Sequence, residues 1–147
     1  MQGSAVYVVG YTHGTFSGQT SAGGQDAFVR KYDSDGNEVW TRQFGTSADD
    51  SAVAAAAEDQ TGGLYVAGMT AGALDGQISA GDRDSFVRKY DAGGTAVLTR
   101  QFGTSVADHA YAIAVHASGV YVAGSTSGVL PGQASAGGSD SYVRKYD

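Results

Sequence analysis

Residues 84–91 read Asp-Ser-Phe-Val-Arg-Lys-Tyr-Asp, and Leu64-Tyr65-Val66-Ala67-Gly68-Met69-Thr70 stands ahead of them. The same pair of runs occurs earlier, as Val6-Tyr7-Val8-Val9-Gly10-Tyr11-Thr12 with Asp26-Ala27-Phe28-Val29-Arg30-Lys31-Tyr32-Asp33. It occurs again later, as Val120-Tyr121-Val122-Ala123-Gly124-Ser125-Thr126 with Asp140-Ser141-Tyr142-Val143-Arg144-Lys145-Tyr146-Asp147. Tyr7, Tyr65 and Tyr121 are spaced 58 and then 56 residues apart. A fixed period of this size, with several strand-like runs in each copy, implies units that stack to share a core.

The complete unit between 51 and 102 resolves into four expected strands, over 52–58, 64–70, 85–91 and 96–102. A turn at Gln60 to Gly63, a long Gly/Ser loop and the Gly93-Gly94 turn connect them. Alternation puts Phe86, Arg88 and Tyr90 on one face and Val87 and Lys89 on the other. Both faces carry apolar or long amphipathic side chains, as a sheet covered on both sides requires. The run Ala52-Val53-Ala54-Ala55-Ala56-Ala57-Glu58 has high helix propensity. Its counterpart, Ala110-Tyr111-Ala112-Ile113-Ala114-Val115-His116, alternates with period two and favours a strand with Ala on one face. Small side chains suit the crowded innermost strand near a rotation axis, so the unit reads as a four-stranded antiparallel propeller blade and the chain as all-β.

The order of motifs also resembles the bacterial seven-bladed β-propeller repeat family. The resemblance rests on Asp-Ala-Phe-Val-x-Lys-x-Asp from Asp26, Gly36-Asn37-x-x-Trp40, and Phe44-Gly45-Thr46-Ser47-x-x-Asp50. It continues through the Ala-alternating strand and Gly-x-Tyr-Val-x-Gly-x-Thr, covering nearly the whole chain. Trp40 becomes Leu98, and the Gly/Ser loop is longer than a minimal unit requires. The resemblance implies a propeller in a large bacterial protein, extracellular or at the cell surface. It implies no single activity.

On this reading the chain is one repeat domain: a partial blade at 1–44, a full blade at 45–102 and a partial blade at 103–147. Ten strands make about two and a half blades. The first blade lacks its inner strand and the last its outer one, leaving open edges that invite association. The expected partner is a second copy, in a homodimer that completes a propeller.

Composition narrows the function classes. A chain of 147 residues can bury a core, and 23 Gly with one Pro suit many tight turns. There is no Cys, so disulfides and Cys-based zinc sites are excluded. No apolar stretch approaches the roughly 20 residues of a membrane span, and membrane insertion is not expected. Met1 is followed almost at once by a strand-like run in place of a signal-peptide pattern. The net charge is −6. Eight of the nine cations stand at recurring positions (Arg30, Arg88, Arg144; Lys31, Lys89, Lys145; Arg42, Arg100), which speaks against a nucleic-acid partner. The recurring Arg residues are expected to pair with recurring carboxylates between blades.

Strand polarity brings the long Gly/Ser loops and the connections at 45–50 and 103–109 to one rim, where a ligand would bind. Asp50 and Asp108 recur there, as do Asp26, Asp84 and Asp140, and Gln19, Gln77 and Gln133. Recurring short polar side chains are expected to tie turns. A ligand residue should not recur, and the non-recurring polar residues singled out on that ground are His13, Asp82, Arg83, His109 and His116. The candidate rim set is Asp50, Asp108, His109, Arg83 and His13. No spacing forms a metal motif. Asp33-Ser34-Asp35-Gly36-Asn37-Glu38 alternates carboxylates, but its Gly and Glu fall at the wrong positions for an EF-hand loop, and a hairpin turn is expected. No cofactor and no catalytic residue are expected. The functional expectation is a non-catalytic scaffold that takes a glycan or a protein on its rim. The alternative is a glycan-active hydrolase or lyase using Asp50 and Asp108.

Overall fold

A computed structural model describes residues 5–58 and 61–147. Among these residues there are ten strands and no helix: β1 Val6–Thr12, β2 Asp26–Tyr32, β3 Glu38–Phe44, β4 Asp50–Glu58, β5 Gly63–Thr70, β6 Asp84–Tyr90, β7 Ala96–Phe102, β8 Asp108–His116, β9 Gly119–Thr126 and β10 Asp140–Tyr146. They form three open antiparallel sheets, ordered β1-β2-β3, β4-β5-β6-β7 and β8-β9-β10. The expected strand at 85–91 starts one residue earlier, and the Ala-rich strand begins at Asp50 rather than at 52. Of the turn expected at Gln60 to Gly63, Gln60 lies outside the described residues.

The two faces of β6 serve two different cores. Phe86 and Tyr90 join Leu64 and Val66 against Ala27, Val29, Trp40 and Phe44 of the first sheet. Val87 and Ala67 pack against Ala110, Val122 and Tyr142 of the third. The middle sheet is therefore covered on both sides, while the first and third sheets each bury one face. Val8, on the outer face of the first sheet, is exposed, and Val143, on the outer face of the third, is 74% exposed.

A β-bulge corrects the expectation for the Ala-rich strands. The register shifts between Ala52 and Ala54 in β4, and between Ala110 and Ala112 in β8, leaving Val53 and Tyr111 as the extra residues. The bulge reverses the alternation partway along, so Ala110 shares a face with Ile113, not with Ala112. It also explains Gly68 and Gly124. A Cβ at either would collide with the carbonyl of Ser51 or His109, which the bulge brings across the ladder.

The recurring arginines depart from the expected ion pairs. The Arg88 guanidinium lies 4.5 Å from the Phe44 ring centroid and 5.7 Å from that of Tyr90. Arg144 sits likewise 4.6 Å from Phe102 and 5.4 Å from Tyr146. Among the described residues no carboxylate lies within ion-pair distance of either. Arg30 does meet Glu38, at 3.7 Å, but within its own sheet. A guanidinium is weakly hydrated and flat, so an aromatic face from the neighbouring sheet accommodates it without a counter-charge.

Further contacts stitch the first sheet to the second. Trp40 Nε1 donates to the Ala92 carbonyl at 3.2 Å, and Arg42 Nε donates to that of Gly94 at 2.7 Å. The Asp33 to Glu38 segment is a turn: Asp33 Oδ1 accepts from the amides of Asp35 and Asn37, both at 2.9 Å. The equivalent turn repeats this with Asp91 Oδ1 and the Thr95 amide at 2.8 Å. Gly36 and Gly94 take φ of 83° and 80°, where side-chain-bearing residues are strained.

Candidate functional site

The long loop of each of the first two sheets packs onto the connection leading to the next, and both lie at one end of the strands. The Asp50 amide donates to the Gln25 carbonyl at 2.7 Å, and that of Asp108 to the Arg83 carbonyl at 2.8 Å. Each connection is held by a buried aspartate. Asp50 Oδ2 accepts from the Thr46 amide at 2.5 Å and the Thr46 hydroxyl at 3.0 Å. Asp108 Oδ2 accepts from the Thr104 amide at 2.5 Å and its hydroxyl at 2.9 Å. These are the bonds of turn-tying residues.

The structure also brings carboxylates together in a way that the sequence did not reveal. A Cβ on Gly45 would lie 2.6 Å from Asp26 Oδ1 and 2.7 Å from Asp50 Oδ2, and Gly103 is wedged in the same manner between Asp84 and Asp108. All four aspartates are fully buried. Burial pushes the Asp50 carboxyl above its ordinary value; the hydrogen bonds from Thr46 oppose the shift, and the Asp26 charge adds to it. The Thr70 hydroxyl is itself engaged with both the amide and the carbonyl of Gly72, at 3.1 Å each, so Asp50 Oδ1 has no partner of its own. Desolvation therefore dominates. Neither Asp50 nor Asp108 presents a carboxyl to solvent, so neither is placed to touch a glycan at the rim. Among the described residues, no three His, Asp or Glu gather as a metal-binding group.

Residues that differ between copies cluster above these buried carboxylates. A groove of about 270 Å³ is lined by Tyr11, Gln25, Asp49, Ser51, Met69 and Arg83. His13 stands at its edge, its ring 6.0 Å from that of Tyr11 at 81°. His109 occupies on β8 the position of Ser51 on β4. It stacks on Tyr111 with centroids 5.9 Å apart and planes at 12°, and the Ser125 hydroxyl donates to the Tyr111 hydroxyl at 3.2 Å. Of the candidate rim residues, Arg83 lines the groove, His13 borders it, His109 stands one sheet further on, and Asp50 and Asp108 lie beneath. His116 is remote, at the β8–β9 turn, where Nδ1 accepts from the Ser118 amide. Sequence reasoning passed over Tyr11, Asp49 and Met69. Their signal was the one used for Arg83: Asp49 is Ala107 in the next copy, and Tyr11, Met69 and Ser125 share one repeat position.

The groove sets Tyr and Met beside an exposed acid and an exposed base. That mixture suits recognition of an amphipathic ligand by stacking and hydrogen bonds.

No family model matches the chain. Over 142 residues it is similar to the regulatory protein FlaEY of Caulobacter vibrioides, with 31% identity covering 88% of the chain. The chain spans about 15% of that protein's length.

Proposed function

We propose that the chain is a non-catalytic scaffold module, an arc of β-propeller blades of the bacterial seven-bladed repeat type, which acts through association surfaces. The observation that carries this reading is the pair of unburied outer faces. Val29 and Val66 are both fully buried in the seam between the first two sheets. Their repeat counterparts on the outer faces are Val143 on the third sheet and Val8 on the first. The third sheet's outer face thus repeats one half of a working seam, and the first sheet's outer face repeats the other half.

Two copies arranged head to tail would form this seam twice and close a ring of six sheets, a two-fold assembly with no unmatched face. Each seam would be apolar, and the total contact would exceed roughly 1,000 Å². The Tyr11–Arg83 groove and the His109–Tyr111 pair give such a ring a rim on which a protein or a glycan binds. The likeness to a protein named as regulatory supports action by contact rather than by turnover, and the repeat resemblance supports an extracellular or cell-surface setting.

The chain has no Cys, so single cysteines report contacts cleanly. Val8→Cys and Val143→Cys proteins, mixed and treated with a short bis-maleimide, are expected to cross-link to each other and not to themselves. Self-linking of either variant alone, with no mixed product, contradicts the head-to-tail seam.

A further inference from the structure

The groove where the first two sheets meet at the rim holds an unpaired acid and an unpaired base on fixed backbone. The Asp49 carbonyl accepts from the Ala71 amide at 2.9 Å, and Asp49 Oδ1 accepts from the Gln25 amide at 3.1 Å. The Arg83 carbonyl accepts from the Asp108 amide at 2.8 Å, and Arg83 forms a bridge with Ala107. Both residues are exposed, and among the described residues neither belongs to an ion pair. Asp49 Oδ2 and the guanidinium fork of Arg83 are therefore open to a ligand, and the backbone beneath them needs no reordering to receive one.

At this rim the frame recurs between copies and the lining does not. Gly45, Thr46 and Asp50 become Gly103, Thr104 and Asp108, and Thr70 becomes Thr126. Tyr11, Gln25, Asp49 and Ser51 become Met69, Arg83, Ala107 and His109. A repeat that keeps its frame and changes its lining offers one chemical site in place of several equivalent ones. Met69 has on β5 the place of Tyr11 on β1, and it lines the groove although β4 pairs alongside it. A strand beside this position does not close the site.

We infer that this groove binds an acidic sugar, a hexuronic acid residue of a polysaccharide. Each part of the lining answers a part of that ring. The planar guanidinium of Arg83 matches one carboxylate through two parallel hydrogen bonds, which a neutral sugar cannot accept. Asp49 Oδ2 and the Ser51 hydroxyl accept from ring hydroxyls, and the Gln25 side-chain amide donates to them. Tyr11 and Met69 offer apolar surface to the C–H face of the ring. The volume of about 270 Å³ lies just below the roughly 300–1,000 Å³ of pockets for drug-sized ligands, which suits a single sugar unit and its linkage. With a net charge of −6 the chain repels polyanions at long range, so selection of the carboxylate falls to Arg83 at short range. The inference rests on the rim-binding part of the scaffold reading and not on its outer faces. The groove lies within one chain, so either claim can fail alone.

The test titrates the whole chain with trisaccharides of galacturonate, glucuronate and mannuronate by isothermal calorimetry, each beside its methyl ester. Saturable binding of at least one acid is expected, with one sugar per chain and its ester bound at least about tenfold more weakly. Arg83→Gln should bring acid and ester to the same affinity. Asp49→Asn should weaken both forms by at least about threefold. Each variant should keep its circular dichroism spectrum, since both side chains are exposed. Absence of saturable binding by all three acids, equal binding of acid and ester, or an Arg83→Gln protein that still prefers the acid overturns the proposal. So does tighter binding of a tri-glutamate peptide, which would assign the groove to an acidic protein segment. Light scattering on the same samples reads the mass, so loss of sugar binding and loss of self-association are scored separately.

Discussion

Phe86, Phe28 and Tyr142 occupy one repeat position, and the cost of truncating each measures what the neighbouring sheet contributes. Phe86 is fully buried, with its ring edge-on to Phe44 at 5.6 Å and 81°. Its para carbon lies 2.9 Å from the point where a Cβ on Gly68 would sit. Removing a buried Phe side chain from a packed seam costs about 3–5 kcal/mol, and the edge-to-face pair accounts for about 0.5–1.5 kcal/mol of that. With a urea slope of about 2 kcal/mol/M, Phe86→Ala should lower the midpoint by about 2 M. Phe28 lies on the outer face of the first sheet, only part-buried, with Phe16 at 5.1 Å as its aromatic neighbour. Phe28→Ala should cost less than half as much when measured at low protein concentration. Trp40, the single tryptophan, lies in the seam with its ring 6.0 Å from Tyr90, so its fluorescence reports unfolding there. A Phe86→Ala cost below about 1.5 kcal/mol, or equal costs at both positions, would refute the claim that inter-sheet packing carries the stability.

Gln101 donates Nε2 to Asp84 Oδ2 at 2.7 Å and to the Gly72 carbonyl at 2.8 Å, so Gln101→Ala is expected to lose about 2–4 kcal/mol in urea unfolding, because a buried carboxylate and a carbonyl lose their donor. Arg88→Met should lose about 1 kcal/mol or less in the same assay, since the thioether chain still covers Phe44 and only the cation–π attraction goes. Its loss should be clearly smaller than that of Arg88→Ala. For Asp50 the folded carboxyl titrates above the unfolded one, so its charge destabilises the fold above the folded value, and stability is recovered as pH falls through the folded value toward the unfolded one. Asp50→Asn removes that charge, so its stability relative to the parent should be greater at pH 7 than at pH 4, measured by thermal unfolding at both.

The strands were legible because period-two alternation recurs three times, and every repeat carries its own turn residues. The bulge at Val53 and Tyr111 was not legible, because one extra residue in an Ala-rich run leaves the alternation looking intact. Gly68 and Gly124 were its trace in the sequence, readable only as the price of a close carbonyl. The arginines were misread for a related reason. Charge alone suggests a counter-ion, whereas the partners are the Phe residues at the end of the preceding Thr-Arg-Gln-Phe run. Asp50 and Asp108 were legible as turn residues, but their pairing with Asp26 and Asp84 across Gly45 and Gly103 depends on loop packing that no spacing encodes. The rim groove was half legible. Non-recurrence picks out Arg83 and His13 and, applied to every side chain instead of to a few polar ones, would have picked out Asp49, Tyr11 and Met69 as well.

The central claim, that the outer faces of the first and third sheets are the two halves of a seam, is tested most directly by the mass of the protein in solution. Light scattering at tens of micromolar should give about twice the 14.9 kDa chain mass, falling toward a single chain in a Val8→Glu, Val143→Glu double variant that keeps its β-sheet spectrum. A folded species of 14.9 kDa that shows no rise in mass with concentration would contradict the account.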